Sequence, residues 1–170
     1  MFFIRLPLLE TSYTFNPESL EGSIAGAMGY GQFMPDSYRK YAVDFDSDGV
    51  RDILTNPVDA IGSVANFLSK KGKWKPNTPI AMEARSVSKQ TSFQSKFKPY
   101  MTINELNEIG LEPKEKISGN LKFVPISLEL DEGYEHWLGF DNYYSLSRYN
   151  RSKLYVMAVI EFSRSLSIYL

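Results

Sequence analysis

Residues 44–52 read Asp-Phe-Asp-Ser-Asp-Gly-Val-Arg-Asp, so carboxylates alternate along one short stretch. A hard divalent cation collects roughly six to eight oxygen ligands, and alternate acids can turn inward around one centre. Asp44, Asp46 and Asp48 take the first, third and fifth positions of an EF-hand-type calcium loop. Gly49 permits the sharp turn at the sixth, and the carbonyl of Val50 falls at the seventh. Asp52, at the ninth, can ligate directly or through water. The twelfth position is Thr55 instead of a bidentate Glu, so a further carboxylate must come from elsewhere. Asp59 is the nearest good candidate. An Asp-rich turn without metal is the competing reading, with Asp59 serving a helix dipole. Acids this dense repel one another unless a cation neutralises them, which favours calcium. A structural role is expected, because no Met-rich groove flanks the loop for a sensor to expose.

Upstream lies a glycine-rich run with Gly22, Gly26, Gly29 and Gly31, followed by Gln32-Phe33-Met34-Pro35. Such glycines let backbone approach a ligand closely, and Gln32 offers both donors and an acceptor. A phosphate cradle does not fit: the spacing matches neither a Walker pattern nor a strand-led GxGxxG, and no Lys follows. His136 is the only histidine and has no Ser or Cys partner motif, so a structural or exposed role is expected. Lys70, Lys71, Lys73 and Lys75 read as a solvated linker.

Three regions hold these residues. Over 1–72, Asn56-Pro57-Val58-Asp59 is a helix start, with Asn56 as cap, Pro57 first in the helix and an acid in the first turn. Val58, Ile61, Val64, Ala65 and Leu68 recur at helical spacing and predict one buried face, ended by Gly72. Over 73–133, prolines punctuate short apolar runs such as 80–84 and 123–128, which read as strands of a small sheet. Thr102 and Glu105 there form a capping-box pattern for a short helix stopping at Gly110. Over 134–170, an aromatic-rich stretch leads to a last helix from about Ser152, with Leu154, Met157, Ala158, Phe162 and Leu166 apolar.

Hydrophobic residues make up 43% of the 170, which is a folded composition, and the net charge of −1 gives no sign of a nucleic-acid surface. No cysteine is present, which removes thiol nucleophiles, disulfides and zinc-thiolate sites. No run reaches the ~18–20 apolar residues of a membrane span. Met1–Leu9 is apolar but lacks a basic region and a cleavage site, so it is read as the cut end of a helix, not a signal peptide.

Gly-Ala-Met-Gly-Tyr-Gly-Gln-Phe-Met-Pro at 26–35, Tyr-Ala-Val-Asp-Phe at 41–45 and Pro-Val-Asp-Ala-Ile-Gly-Ser-Val-Ala-Asn at 57–66 closely resemble the B-type lytic murein transglycosylases. The likeness continues loosely through the middle and returns at Ser147-Arg148-Tyr149-Asn150 and Tyr155. It covers about residues 17–165. It implies an α+β fold: a mainly helical, lysozyme-like core with an EF-hand-type loop and a small inserted antiparallel β-domain. The core would comprise 1–72 and 134–170, and the insertion 73–133. The resemblance also implies a cleft for peptidoglycan glycan strands, lined by Ser23 and Gln32 and closed by Tyr149, Asn150 and Tyr155. Phe67 stands where the family often has Tyr. Asp44, Asp46, Asp48 and Asp59 match the family's calcium ligands, with one extra residue here between Asp48 and Asp59. A periplasmic or cell-envelope location follows from the resemblance alone.

Members of that family cleave the MurNAc-β-1,4-GlcNAc bond with one Glu, giving 1,6-anhydro ends without water. The resemblance places that Glu upstream of this chain, and Glu10, Glu18 and Glu21 do not match its position. The expectation is therefore a transglycosylase portion without the catalytic acid. The alternative is a non-catalytic, calcium-stabilised peptidoglycan-binding module, with a calcium sensor as a weaker third reading.

Overall fold

The computed structural model describes residues 22–88, 93–94, 96–117 and 119–169; Met1–Leu9, Glu10, Glu18 and Glu21 lie outside them. The chain divides into two compact units, Met1–Lys70 and Lys71–Leu170.

In the first unit, α1 (Pro35–Tyr41) and α2 (Pro57–Phe67) flank the acidic loop. Pro35 opens α1 at the position where its missing N–H is not needed. The Tyr38 hydroxyl then anchors the helix by donating to the Arg51 carbonyl at 2.9 Å. Asn56 caps α2 as expected, its Oδ1 accepting the Val58 and Asp59 N–H groups. After Phe67 the helix widens into a π-turn, Leu68–Gly72.

The buried face of α2 is not the one its hydrophobic periodicity predicts. Asp59, Ala60, Gly62, Ser63 and Phe67 are buried, whereas Val58 and Ile61 are 44% and 69% exposed. The rotation is set by polar ties to the preceding segment. Asp59 accepts two loop N–H groups, Ser63 Oγ accepts the Val43 N–H at 2.9 Å, and Asn66 donates to the Tyr41 carbonyl. Gly62 completes the fit: a Cβ there would lie 2.4 Å from Cγ of Phe45. Buried backbone N–H groups must be satisfied, and that demand outweighs the outward apolar stripe. Phe67 seals the end of the unit between Phe33 and Tyr41, at centroid distances of 5.9 and 5.1 Å.

The second unit is built on an antiparallel sheet of β1 (Ala81–Ser86), β2 (Leu111–Pro113), β3 (Val124–Glu129) and β4 (Tyr134–Gly139), in the order β2-β1-β4-β3. The hairpin between β3 and β4 closes with Leu130 N–H donating to Gly133 O at 3.1 Å. It carries the sheet past position 133, to Gly139. α3 (Ile103–Glu108) sits between β1 and β2, where Glu105 reaches back to the Thr102 N–H at 2.7 Å. Ala84, Met101, Leu106, Leu111, Phe123, Leu138 and Phe140 pack together as one apolar cluster.

A second cluster joins Val124, Ile126 and Trp137 of the sheet to Tyr143 of α4 (Asp141–Ser147) and to Val156, Met157 and Ile160 of α5 (Lys153–Leu166). Full burial of side chains this size contributes about 1.5–3 kcal/mol each. Of the apolar residues that mark α5 in the sequence, Met157 alone is buried; Leu154 and Phe162 are mostly exposed. Arg164 helps fix the helix, with its guanidinium 5.0 Å from the Trp137 ring centre and donating to Ala81 O. The buried Asn142 amide stitches the 75–78 turn to α4, bonding both the N–H and the carbonyl of Lys75.

Candidate functional site

The acidic loop of the first unit gathers three carboxylates. Oxygen atoms of Asp44, Asp46 and Asp59 lie within 4.8 Å of one another, with Asp59 fully buried. Backbone hydrogen bonds hold them there. Asp44 accepts from the Asp48 and Gly49 N–H groups at 3.1 and 2.9 Å. Asp59 accepts from Phe45 and Asp52, at 2.7 and 2.8 Å. Asp46 takes the Asn56 side-chain amide at 2.8 Å. Each oxygen keeps a further lone pair, so these contacts orient the acids without exhausting them. Ser47 and Gly49 turn the loop in left-handed conformations, at φ 64° and 92°.

Asp48 and Asp52 stand apart from that group. Asp48 Oδ1 accepts the Val50 N–H at 2.8 Å. Asp52 closes its own turn, accepting from Leu54 N, Thr55 N and the Thr55 hydroxyl. Burial alone raises the Asp52 pKa, but these donors outweigh it and hold the carboxyl below its usual range. The donor set is oxygen only, one member is buried, and two loop acids and Asp59 of α2 bring oxygens close together. That chemistry fits a hard divalent cation such as calcium.

The glycine-rich segment is a closed loop. Met28 and Phe33 exchange both backbone hydrogen bonds at 2.9 Å, and Gly29–Gln32 form the tip. Gly29 is required at φ 65°, and a Cβ there would sit 2.2 Å from the Ile53 carbonyl oxygen. Its close approach is thus to the protein's own backbone. Gln32, a candidate ligand-binding residue, has φ 48°, an uncommon conformation for a residue with a side chain. Its backbone N–H and its Nε2 both donate to Gly29 O, at 3.0 and 2.9 Å, which braces the tip of the loop. Ser23, also exposed, uses its Oγ to accept the Ala27 N–H.

Tyr149, Asn150 and Tyr155 belong to the second unit, the first two between α4 and α5 and Tyr155 in the first turn of α5. Burial, helped by the nearby Tyr155, pushes the Tyr149 phenol up to about 12. Asn150 and Tyr155 are exposed, and Ser152 caps α5 by accepting the Tyr155 N–H at 3.3 Å. His136 does acquire a serine neighbour: Ser127 Oγ lies 3.3 Å from its Nδ1 across the β3–β4 pair. Sequence separation hid this contact, which strand register creates.

An α+β chain with an acid-lined loop between two helices and a helix-backed antiparallel sheet defines the class. The transglycosylase SLT domain model matches residues 5–164. Membrane-bound lytic murein transglycosylase B of Escherichia coli is 40% identical over 153 residues, 90% of this chain and 41% of the relative. The E. coli lytic transglycosylase Slt35, solved in complex with calcium, superposes with a TM-score of 0.81 at 39% identity, covering 91% of this chain and 48% of that one. SltB3 of Pseudomonas aeruginosa, solved with NAG-anhNAM-pentapeptide, gives 0.68 at 32% identity, covering 85% and 40%. The chain belongs to the lytic murein transglycosylase family. It spans about half the length, or less, of these relatives.

Proposed function

We propose that this chain forms the calcium-stabilised, glycan-binding portion of a peptidoglycan lytic transglycosylase of the cell envelope. The family match running through both units carries the reading. Ser23 and Gln32 are the proposed glycan contacts of the first unit, and Tyr149, Asn150 and Tyr155 are those of the second, each set taken by itself. The braced Gly29–Gln32 loop supports this, because strained backbone held by its surroundings is a feature of ligand-contacting segments.

Calcium would be held in an EF-hand-type loop by Asp44, Asp46 and Asp59. Asp48 and the Val50 carbonyl would complete the shell by a local turn of the loop. The ion would supply positive charge that locks the loop to α2. Cleavage needs a general acid to protonate the leaving oxygen, and none of the proposed glycan-contacting residues is a carboxylic acid. We infer that these residues bind the glycan without themselves supplying the acid.

The test uses purified sacculi. The chain alone should sediment with sacculi and release little or no 1,6-anhydro-muropeptide, and Asn150→Ala should weaken sedimentation. Robust release by the chain alone would overturn the reading of this chain as binding without cleaving. Failure to sediment would overturn glycan binding.

A further inference from the structure

α5 is apolar on two opposite sides. Val156, Met157 and Ile160 face the sheet and are buried. Leu154, Ala158, Phe162 and Leu166 follow one another at steps of four residues, so they form a single ridge along the other side. Leu154, Phe162 and Leu166 are 67%, 66% and 46% exposed, and Ala158 is exposed with them. A helix that is apolar all round is ordinarily buried all round. The charged residues of α5 are drawn away from the ridge. Lys153 donates to Ser127 O of β3, Arg164 donates to Ala81 O of β1, and Glu161 pairs with Arg164 at 2.9 Å. A helix lying on a bilayer borders its apolar side with unengaged basic residues, whereas Lys153 and Arg164 are turned to the sheet. An uncharged ridge of this kind fits another apolar helix face.

We propose that this ridge pairs with the same ridge of a second copy of the chain, antiparallel, about a twofold axis level with Ile160. The spacing is self-complementary about that point. Leu154 meets Leu166 of the second copy, and Ala158 meets its Phe162, a small residue against a large one. Ridges with four-residue steps interlock when two helices cross at about −50°. Aromatic side chains bury about 150–250 Å² each, so the ridge, with Tyr155 beside it and Tyr169 beyond its end, offers on the order of 600 Å² per copy. Specific interfaces take roughly 600–1,000 Å² from each partner, which places this pairing at the lower edge and makes it reversible. Pairing shields Tyr155, one of the proposed glycan contacts, but does not itself rest on the glycan reading.

Sedimentation velocity on the full chain from about 1 to 100 μM should show the mass rise from one chain to two. Phe162→Asp should raise the dimer Kd about tenfold or more, with an unchanged far-UV circular dichroism spectrum because the position is exposed. Ile61→Lys, on the exposed apolar side of α2, should leave the Kd unchanged and serves as the control for non-specific association. The chain has no cysteine, so introduced single cysteines report the register. A short bis-maleimide should join Leu154→Cys to Leu166→Cys several-fold faster than Leu154→Cys to itself, because the two Leu154 positions stand about 18 Å apart along the helix axis. A chain that stays monomeric at the top of the concentration range overturns the proposal. So does an equal rise in Kd for Ile61→Lys and Phe162→Asp, or equal crosslinking in the two mixtures.

Discussion

The buried carboxylate of Asp59, on the first turn of α2, accepts the backbone N–H of Phe45 at 2.7 Å. Its second oxygen accepts the Asp52 N–H, so one side chain fastens both arms of the acidic loop to the helix. Asp59→Ala strands two N–H groups, each worth about 1–3 kcal/mol if left buried and unpaired. A loss of at least about 2 kcal/mol is expected in urea unfolding. A loss under about 0.5 kcal/mol, the usual range for a surface change, would show the tie to be incidental.

Calcium should stabilise the wild-type chain through the same acids. At ten times its Kd, a ligand bound only by the folded state adds about 1.4 kcal/mol, or about 4 °C in Tm. Asp46→Ala removes one converging carboxylate and should flatten that response, whereas Asp52→Ala should keep it. Thermal melts at millimolar calcium with no upward shift would remove the metal from the loop.

The outward rotation of α2 gives a sharp contrast. Ile61→Lys, at a position 69% exposed, should change stability by no more than about 0.5 kcal/mol. Phe67→Ala, at 3% exposed between two aromatic rings, should lose about 3–5 kcal/mol. Comparable losses in urea melts would mean that the apolar stripe is buried after all.

Tyr143 carries the one buried side-chain polar atom without a hydrogen-bond partner among the described residues, its hydroxyl. Tyr143→Phe removes an unsatisfied group while keeping the ring, so stability should hold or rise by about 1 kcal/mol. A clear loss in thermal or urea unfolding would reveal a bond for that hydroxyl in solution.

The Tyr143 and Tyr149 phenols are both pushed up to about 12, chiefly by burial. A folded pKa raised above the unfolded value of about 10 favours the neutral, folded form. The associated stability is fully present below pH 10 and is lost as pH rises through about 12. Phenolate absorbance should therefore show late-titrating tyrosines, with one fewer in Tyr143→Phe. Simultaneous ionisation of all tyrosines near pH 10 while the chain remains folded would contradict this burial.

Much was legible in the sequence because it depends on neighbours along the chain. The Asn56-Pro57 helix start, the Thr102–Glu105 cap and the strand-like runs near 81 and 124 are local patterns, and the structure contains each. The face of α2 was not legible, because its rotation depends on which loop N–H groups need partners. The Ser127–His136 contact was hidden for a similar reason, since β3–β4 register and not spacing brings them together. Gly29 was readable as a residue of close approach, but not that the approach is to Ile53.

The order of residue types was thus enough to point to the family and the acidic loop, and to suggest the candidate glycan contacts. The acidic loop rests on side-chain chemistry at short spacings, and the other two on the family resemblance. Tertiary structure alone decided that Asp44, Asp46 and Asp59 converge while Asp48 and Asp52 turn to their own backbone. It also decided that α2 buries its polar and small residues and leaves Ile61 in solvent. Hydrogen-bond demand in three dimensions is a property of the folded neighbourhood, and no one-dimensional period encodes it.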